Sequence, residues 1–323
     1  MRVLIIGAGA IGGWLAAALA RGGADVALLA RGATLAAVRT HGMVLLEGDR
    51  RSVFHLPASD RARDLPPPET VVLAVKTHAF AEAVAWDRDA FAGAPLLVTA
   101  MNGLPWWFLE GLPGPLKGQR LESVDPGGRA AAMLTGVRPL GAVVHSSARA
   151  EAPGVLRVAA VDRLILGEPE GGVSHETEAL AGLVQKGGVN CPITTDIRTE
   201  IWSKLWGNMN MNPVSALTRR TANGILGDDR LLALVHDMMS EFVRIGECIG
   251  ISLPMSVDER LVVTRRLGDF RTSMLNDLEA GRALEIEGLL GVVVEMADKL
   301  GEPVPASRAV YALARAINPG GAA

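Results

Sequence analysis

The chain has 323 residues, 49% of them hydrophobic and 21% charged, with a formal net charge of −3, which is enough apolar material for two ordinary domains with cores of their own. So even a charge balance excludes the basic stripe of a nucleic-acid binder. The two cysteines, Cys191 and Cys248, lie far apart and in no CxxC or Cys/His spacing, so neither a disulfide framework nor a metal site is expected and a cytoplasmic location fits.

The first element is a short β-branched run, Val3 to Ile6, which leads directly into Gly7-Ala8-Gly9-Ala10-Ile11-Gly12 and then into an Ala/Leu-rich helical stretch. Glycines interrupt this start too often for a secretory signal, whose apolar centre is unbroken. Strand, GxGxxG and helix in this order make a dinucleotide cradle: Gly7 permits the tight turn, Gly9 lets the backbone approach a pyrophosphate, and Gly12 allows helix to pack closely on strand. The N–H groups of the helix start, at Ala10 and Ile11, would then face the phosphates.

The second strand, Asp25 to Ala30, ends in Arg31-Gly32, where an NAD enzyme normally carries Asp or Glu for the ribose hydroxyls. A planar guanidinium there suits a 2′-phosphate, so NADP(H) is the expected cofactor. Leu65-Pro66-Pro67-Pro68 reads as a rigid connector. Two buried-type parallel strands follow, Val71 to Val75 ending in Lys76-Thr77-His78, and Pro95 to Thr99 ending in Met101-Asn102-Gly103. Ligands of open α/β sheets sit beyond the carboxyl ends of strands, so Lys76 and Asn102 fall at the expected site, whereas His78 reads as a surface residue.

Residues 90–109 carry no charge, but Pro95, Asn102, Gly103 and Pro105 break the run, so no membrane span is expected. Residues 104–130, with Trp106 and Trp107, read as a long loop with room for a short helix, its tryptophans packed against the domain, with a flap over the substrate as the other reading. Gly141 to His145, Val155 to Val158 and Arg163 to Leu166 read as antiparallel additions to the sheet.

After Ile193 the β character gives way to amphipathic helical patterns over 199–212, 228–250, 256–280 and 283–300. The expected architecture is therefore an α/β Rossmann-type dinucleotide-binding domain, residues 1–195, followed by an all-α domain, residues 196–323, with a cleft between the two. In IWSKLWGNMNMNP, residues 201–213, the apolar positions Ile201, Trp202, Leu205, Trp206 and Met209 recur at helical spacing. Lys204, Asn208 and Asn212 stand four apart; each step of four rotates only about 40°, so the three heads form one stripe facing water or a pocket. Pro213 reads as the stop that ends it. Farther on, Ser273 reads locally as a helix cap and Glu285 as a solvated acid, with Glu287 equally eligible for a role.

Taken together, GAGAIGG, LLARG, VKTHAF, MNGL, KLWGNMNMNP and RTSMLNDLEAGRALEIE resemble the ketopantoate reductase (2-dehydropantoate 2-reductase) family over nearly the whole chain. The resemblance implies NADPH-dependent reduction of a small 2-keto acid, with Lys204 as the catalytic lysine and Glu285 as the acid that orients the site. It assigns Asn208, Asn212, Asn223, Ser273 and Asn102 to the substrate, although Asn223 lies one residue farther from Asn212 than the family pattern. Gly7, Ala8, Gly9, Ala10, Ile11, Gly12, Arg31, Lys76 and Asn102 would hold the cofactor. The chain departs from the family at Ala79, where Gln is common, and in the length of its 104–130 loop. The partner implied is a small molecule rather than nucleic acid or membrane, with a homodimer open as the assembly. The rival expectations are an NADP-dependent reductase of another keto or hydroxy acid and a protein that senses NADP without turnover.

Overall fold

The computed structural model describes residues 1–93 and 96–320. These residues split into two compact units, one built from the described residues of 1–101 with 128–197 and the other from 102–127 with 198–320. The segment 102–127, expected in the first domain, thus belongs to the helical unit. Its large side chains explain why: Leu104, Trp107, Phe108, Leu109, Leu116 and Leu121 are all buried, and Phe108 stacks on Trp202 with ring centroids 5.9 Å apart.

The first unit starts with β1 (Arg2–Ile6), α1 (Ala10–Arg21), β2 (Asp25–Leu29), α2 (Gly32–His41), β3 (Met43–Glu47), β4 (Arg50–Phe54) and β5 (Ala58–Ser59). It continues through β6 (Thr70–Leu73), α3 (Phe80–Trp86), β7 (Leu96–Thr99), α4 (Arg129–Met133), β8 (Arg138–Ala152), β9 (Val155–Gly167) and α5 (His175–Lys186). The strands form one mixed, largely parallel sheet in the order β4-β3-β9-β8-β7-β6-β1-β2-β5. β1 pairs in parallel with β2 on one side and with β6 on the other, so the chain reverses its direction of winding there and leaves a crevice at the strand ends. Both faces of such a sheet are covered, which is why β1, β2, β6 and β7 read as unbroken apolar runs.

The short β-rich runs after residue 136 are parts of two long antiparallel strands, β8 and β9, with register shifts at three places. Bulges bend and twist long strands, and the alternation visible in sequence is interrupted at each. β9 also pairs in parallel with β3, a long-range contact that no local pattern announces. Pro95, the expected start of the strand that runs to Thr99, lies outside the described residues.

The helical unit contains α6 (Ile197–Thr218), α7 (Ala222–Leu226), α8 (Asp229–Cys248), α9 (Val257–Arg266), α10 (Ser273–Glu279), α11 (Val292–Leu300) and α12 (Pro305–Ala316). The single helix expected over 256–280 is two, α9 and α10, separated by a turn in which Gly268 adopts φ +78°, a left-handed conformation that ends helices. Pro213 does not stop α6, which continues to Thr218. Residues Glu287–Gly291 form a wide π-helical turn before α11. Among the described residues no helix is long and apolar enough to cross a membrane.

Candidate active site

The cradle in the first unit follows from its three glycines. Gly7 has φ +95°, and a Cβ there would lie 2.6 Å from the Ala74 carbonyl oxygen. A Cβ on Gly12 would lie 2.0 Å from the Gly7 oxygen, so only glycine lets α1 start this close to β1. Gly9 differs, since a Cβ there would point into open space with nothing within 4 Å. That space is what a pyrophosphate would occupy. Gly9 caps α1 without a side-chain hydrogen bond, and the first turn holds no acid, so the helix start offers free N–H groups and uncancelled positive potential to an anion.

A cavity of about 440 Å³ opens from this point. Gly7, Ala8 and Gly9 line it together with Ala30, Arg31, Ala79, Glu82 and Trp86, and its far wall is the β8–β9 hairpin from Ala150 to Gly154. The residues present fit a dinucleotide: open backbone at the helix start, a cation at the end of β2 and an aromatic face beside it. Ala10, Ile11 and Gly12 form the first turn of α1 and lie outside the lining, as does Lys76, which starts the short turn after β6. Ala79, where the family often carries Gln, does line the cavity, so no amide is offered there.

Arg31 extends along the cavity wall. Its guanidinium meets the Glu82 carboxylate at 2.6 Å and lies 5.3 Å from the centre of the Trp86 ring. Both ends of the ion pair are well exposed, so the pair itself contributes little to stability, and the guanidinium is free to turn toward a stronger anion. The sequence singled out Arg31 but not Glu82 or Trp86, because α3 is remote from β2 along the chain.

In the helical unit, the apolar side of α6 is held by aromatic packing. Trp202 stacks on Phe242 with centroids 3.9 Å apart, and the Trp206 ring N–H donates to the Met239 carbonyl at 3.1 Å. Of the asparagines, Asn210 points inward, its amide donating to the Trp206 carbonyl at 2.5 Å. The opposite side, with Ser203, Lys204, Gly207 and Asn208, remains partly accessible. Neither Asn208 nor the buried Asn212 makes a side-chain hydrogen bond among the described residues, so both amides remain available to a ligand.

Lys204 faces Glu285. Burial lowers the Lys204 pKa from its ordinary 10.5 to about 8, and the Glu285 carboxylate pulls it back up only in part. Glu285 is buried, not solvated, and it accepts a hydrogen bond from the Asn102 amide at 3.4 Å. Asn102 reaches it because Gly103 adopts φ +76° and passes so close to the π-helical turn that a Cβ would lie 2.3 Å from the Gly288 oxygen. Glu287 takes a different surrounding, bound by the Tyr311 hydroxyl at 2.5 Å and by Arg315 at 3.3 Å.

Ser273 is not the helix cap. Thr272 is, its hydroxyl accepting from the Leu275 N–H at 3.2 Å, which leaves the Ser273 hydroxyl exposed in the first turn of α10. Asn223 is exposed at the start of α7, with its backbone N–H donating to Asp269 at 3.2 Å, while Ala222 N–H donates to the Phe270 carbonyl at 3.0 Å. These bonds tie α7 to the turn leading into Ser273.

A Rossmann-type unit with an open glycine cradle, joined in one chain to a helical unit in which a lysine faces a buried glutamate, defines the class: a nicotinamide-dependent oxidoreductase. Residues 3–106 match the family model for ketopantoate reductase PanE/ApbA, and residues 196–318 match the model for its C-terminal part. A 2-dehydropantoate 2-reductase of Mesorhizobium japonicum is 41% identical over 318 residues, covering 98% of each chain. A solved structure from Ralstonia solanacearum MolK2 is also 41% identical, with a TM-score of 0.92 over 98% of this chain and 97% of that one. The structure of 2-dehydropantoate 2-reductase from Methylococcus capsulatus superimposes with a TM-score of 0.84 at 27% identity, covering 98% and 96% of the two chains. The chain belongs to the ketopantoate reductase family.

Proposed function

We propose that this protein reduces the keto group of 2-dehydropantoate to give pantoate, in the route to pantothenate, with NADPH as the reductant. The observation that carries this reading is Lys204, its pKa lowered to about 8, facing a buried, hydrogen-bonded Glu285 in a member of this family. When bound, the cofactor supplies the hydride.

Reduction of a ketone leaves negative charge on its oxygen, so the site has to provide a positive charge and then a proton at that atom. Lys204 can do both. With a pKa of about 8 it is mostly ammonium near neutral pH, yet it releases its proton far more readily than an exposed lysine would. Glu285 favours the charged form and orients the ammonium, and Asn102 in turn restrains Glu285. Asn208 and Asn212 would bind the substrate hydroxyl and carbonyl, with Ser273 and Asn223 completing the polar contacts.

On the cofactor side, Gly7 to Gly12 would take the pyrophosphate, and Arg31 the 2′-phosphate, with Lys76 nearer the reacting end. The nucleotide role belongs to the Rossmann-type unit and the substrate role to the helical one. Unpaired cysteines suit a cytoplasmic enzyme.

Steady-state oxidation of NADPH with 2-dehydropantoate, run against related 2-keto acids, tests the assignment. Efficient turnover of 2-dehydropantoate and a loss of several orders of magnitude in kcat for Lys204→Ala, at unchanged NADPH affinity, are expected. Near-normal turnover by Lys204→Ala would remove the lysine from the proton-donor role, and a better keto acid would reassign the substrate.

A further inference from the structure

Glycine in the middle of a helix is unfavourable, and Gly207 sits in the interior of α6, three residues after Lys204 and one before Asn208. The structure gives it a purpose. The Arg260 guanidinium of α9 lies against the helix at this position, and a Cβ on Gly207 would come within 2.7 Å of its Nη2 and 3.6 Å of its Cζ. Gly207 is therefore a notch, and the group that fills it is a cation.

That cation is unsatisfied. The Arg260 Nε–H is buried without a hydrogen-bond partner. Burial lowers the pKa of the group, and among the described residues no carboxylate contributes an opposing effect. Arg265, on the same helix, shows the contrast, since it donates to the Leu226 carbonyl at 2.9 Å. A partly buried guanidinium with a buried N–H left unpaired is costly. A fold keeps such a group where an anion arrives to complete it, and guanidinium is the side chain that binds carboxylate with two parallel bonds.

We propose that Arg260, seated in the Gly207 notch beside the Lys204–Asn208 stripe, binds the carboxylate of the 2-keto acid substrate. The proposal rests on the keto-acid reading above. It adds a charged anchor to the neutral contacts expected of Ser273 and the asparagines. One end of the substrate is fixed by Arg260, and the adjacent carbonyl then falls beside the Lys204 ammonium.

The test compares wild type with Arg260→Gln, Arg260→Lys and Gly207→Ala, using 2-dehydropantoate and its carboxamide as substrates, with NADPH affinity measured separately by fluorescence titration. Arg260→Gln should raise KM for the acid roughly 100-fold, as loss of a charge-assisted pair implies, while leaving the carboxamide and NADPH affinity nearly unchanged, so that the preference for acid over amide collapses. Arg260→Lys should recover part of that preference. Gly207→Ala should weaken binding of the acid in the same sense without lowering the melting temperature, because alanine favours helix and only the guanidinium has to move.

Equal losses for acid and amide, or an unchanged KM in a folded Arg260→Gln, would overturn the anchor while leaving the reductase reading intact. Absence of turnover by wild type with any keto acid would instead defeat that reading. Calorimetric titration of pantoate into wild type and Arg260→Gln would then decide the anchor alone, with equal affinities counting against it and selective loss in the variant supporting it.

Discussion

The Asn102 amide donates to the Glu285 carboxylate at 3.4 Å across 183 residues of chain, and Glu285 is the group that raises the pKa of Lys204 against the lowering effect of burial. The pH dependence of the reaction follows from this chain of contacts. In the proposed role of proton donor Lys204 must be charged, so kcat/KM for keto-acid reduction should fall as pH rises through about 8, the free-enzyme value such a profile reads. Glu285→Gln removes the one influence that holds the pKa up, so the falling limb should move to lower pH. Lys204→Arg should abolish the limb within the accessible range, together with most of the activity. Profiles that coincide for wild type and Glu285→Gln would contradict the coupling.

The same lysine links stability to pH. Its pKa is about 8 in the folded protein and near the ordinary 10.5 once unfolded. Between those values the unfolded chain binds the additional proton, so stability should rise with pH across the window. Below pH 8 both states are charged and the cost of desolvating the ammonium is fully present, at most roughly 3 to 4 kcal/mol by conversion of the shift. Urea unfolding of wild type and Lys204→Met as a function of pH checks this, and the slope between pH 8 and 10.5 should be absent in the variant.

Cofactor choice should depend on the balance between Arg31 and Glu82, which meet at 2.6 Å. Arg31→Ala removes the guanidinium and should weaken NADPH binding by about 10- to 100-fold, the range of a charge-assisted hydrogen bond, with little change for NADH. Glu82→Gln should do the reverse, freeing Arg31 and removing a negative charge near a 2′-phosphate, so that NADPH binds several-fold more tightly. Titration of each variant with both nucleotides, followed by Trp86 fluorescence, reads the two effects directly.

The cradle glycines should separate folding from binding. Gly12→Ala would place a Cβ 2.0 Å from the Gly7 carbonyl oxygen, and forcing α1 off β1 should cost more than about 2 kcal/mol, as overpacking in a core does. Gly9→Ala meets nothing within 4 Å, so its melting temperature should stay close to wild type while cofactor affinity falls. Thermal melts and nucleotide titrations on the two variants distinguish a structural glycine from one that makes room for phosphate.

Much of this protein is legible in local pattern. Steric limits at Gly7, Gly9 and Gly12, the apolar runs of β1, β2, β6 and β7, and the four-residue spacing of Lys204, Asn208 and Asn212 depend on neighbours within a few turns, and such constraints are written in consecutive residues. Periodicity states which side of an element is apolar, but not which distant segment covers it. Tertiary structure alone therefore decided that Glu285 rather than Glu287 meets Lys204, that Thr272 rather than Ser273 caps α10, and that 102–127 packs into the helical unit through Trp107 and Phe108. It also decided that Glu82 shares Arg31 and that Arg260 occupies the notch at Gly207. Each of these is a contact between groups far apart in the chain, fixed by where packing brings them and by the cost of leaving a buried charge or polar group without a partner.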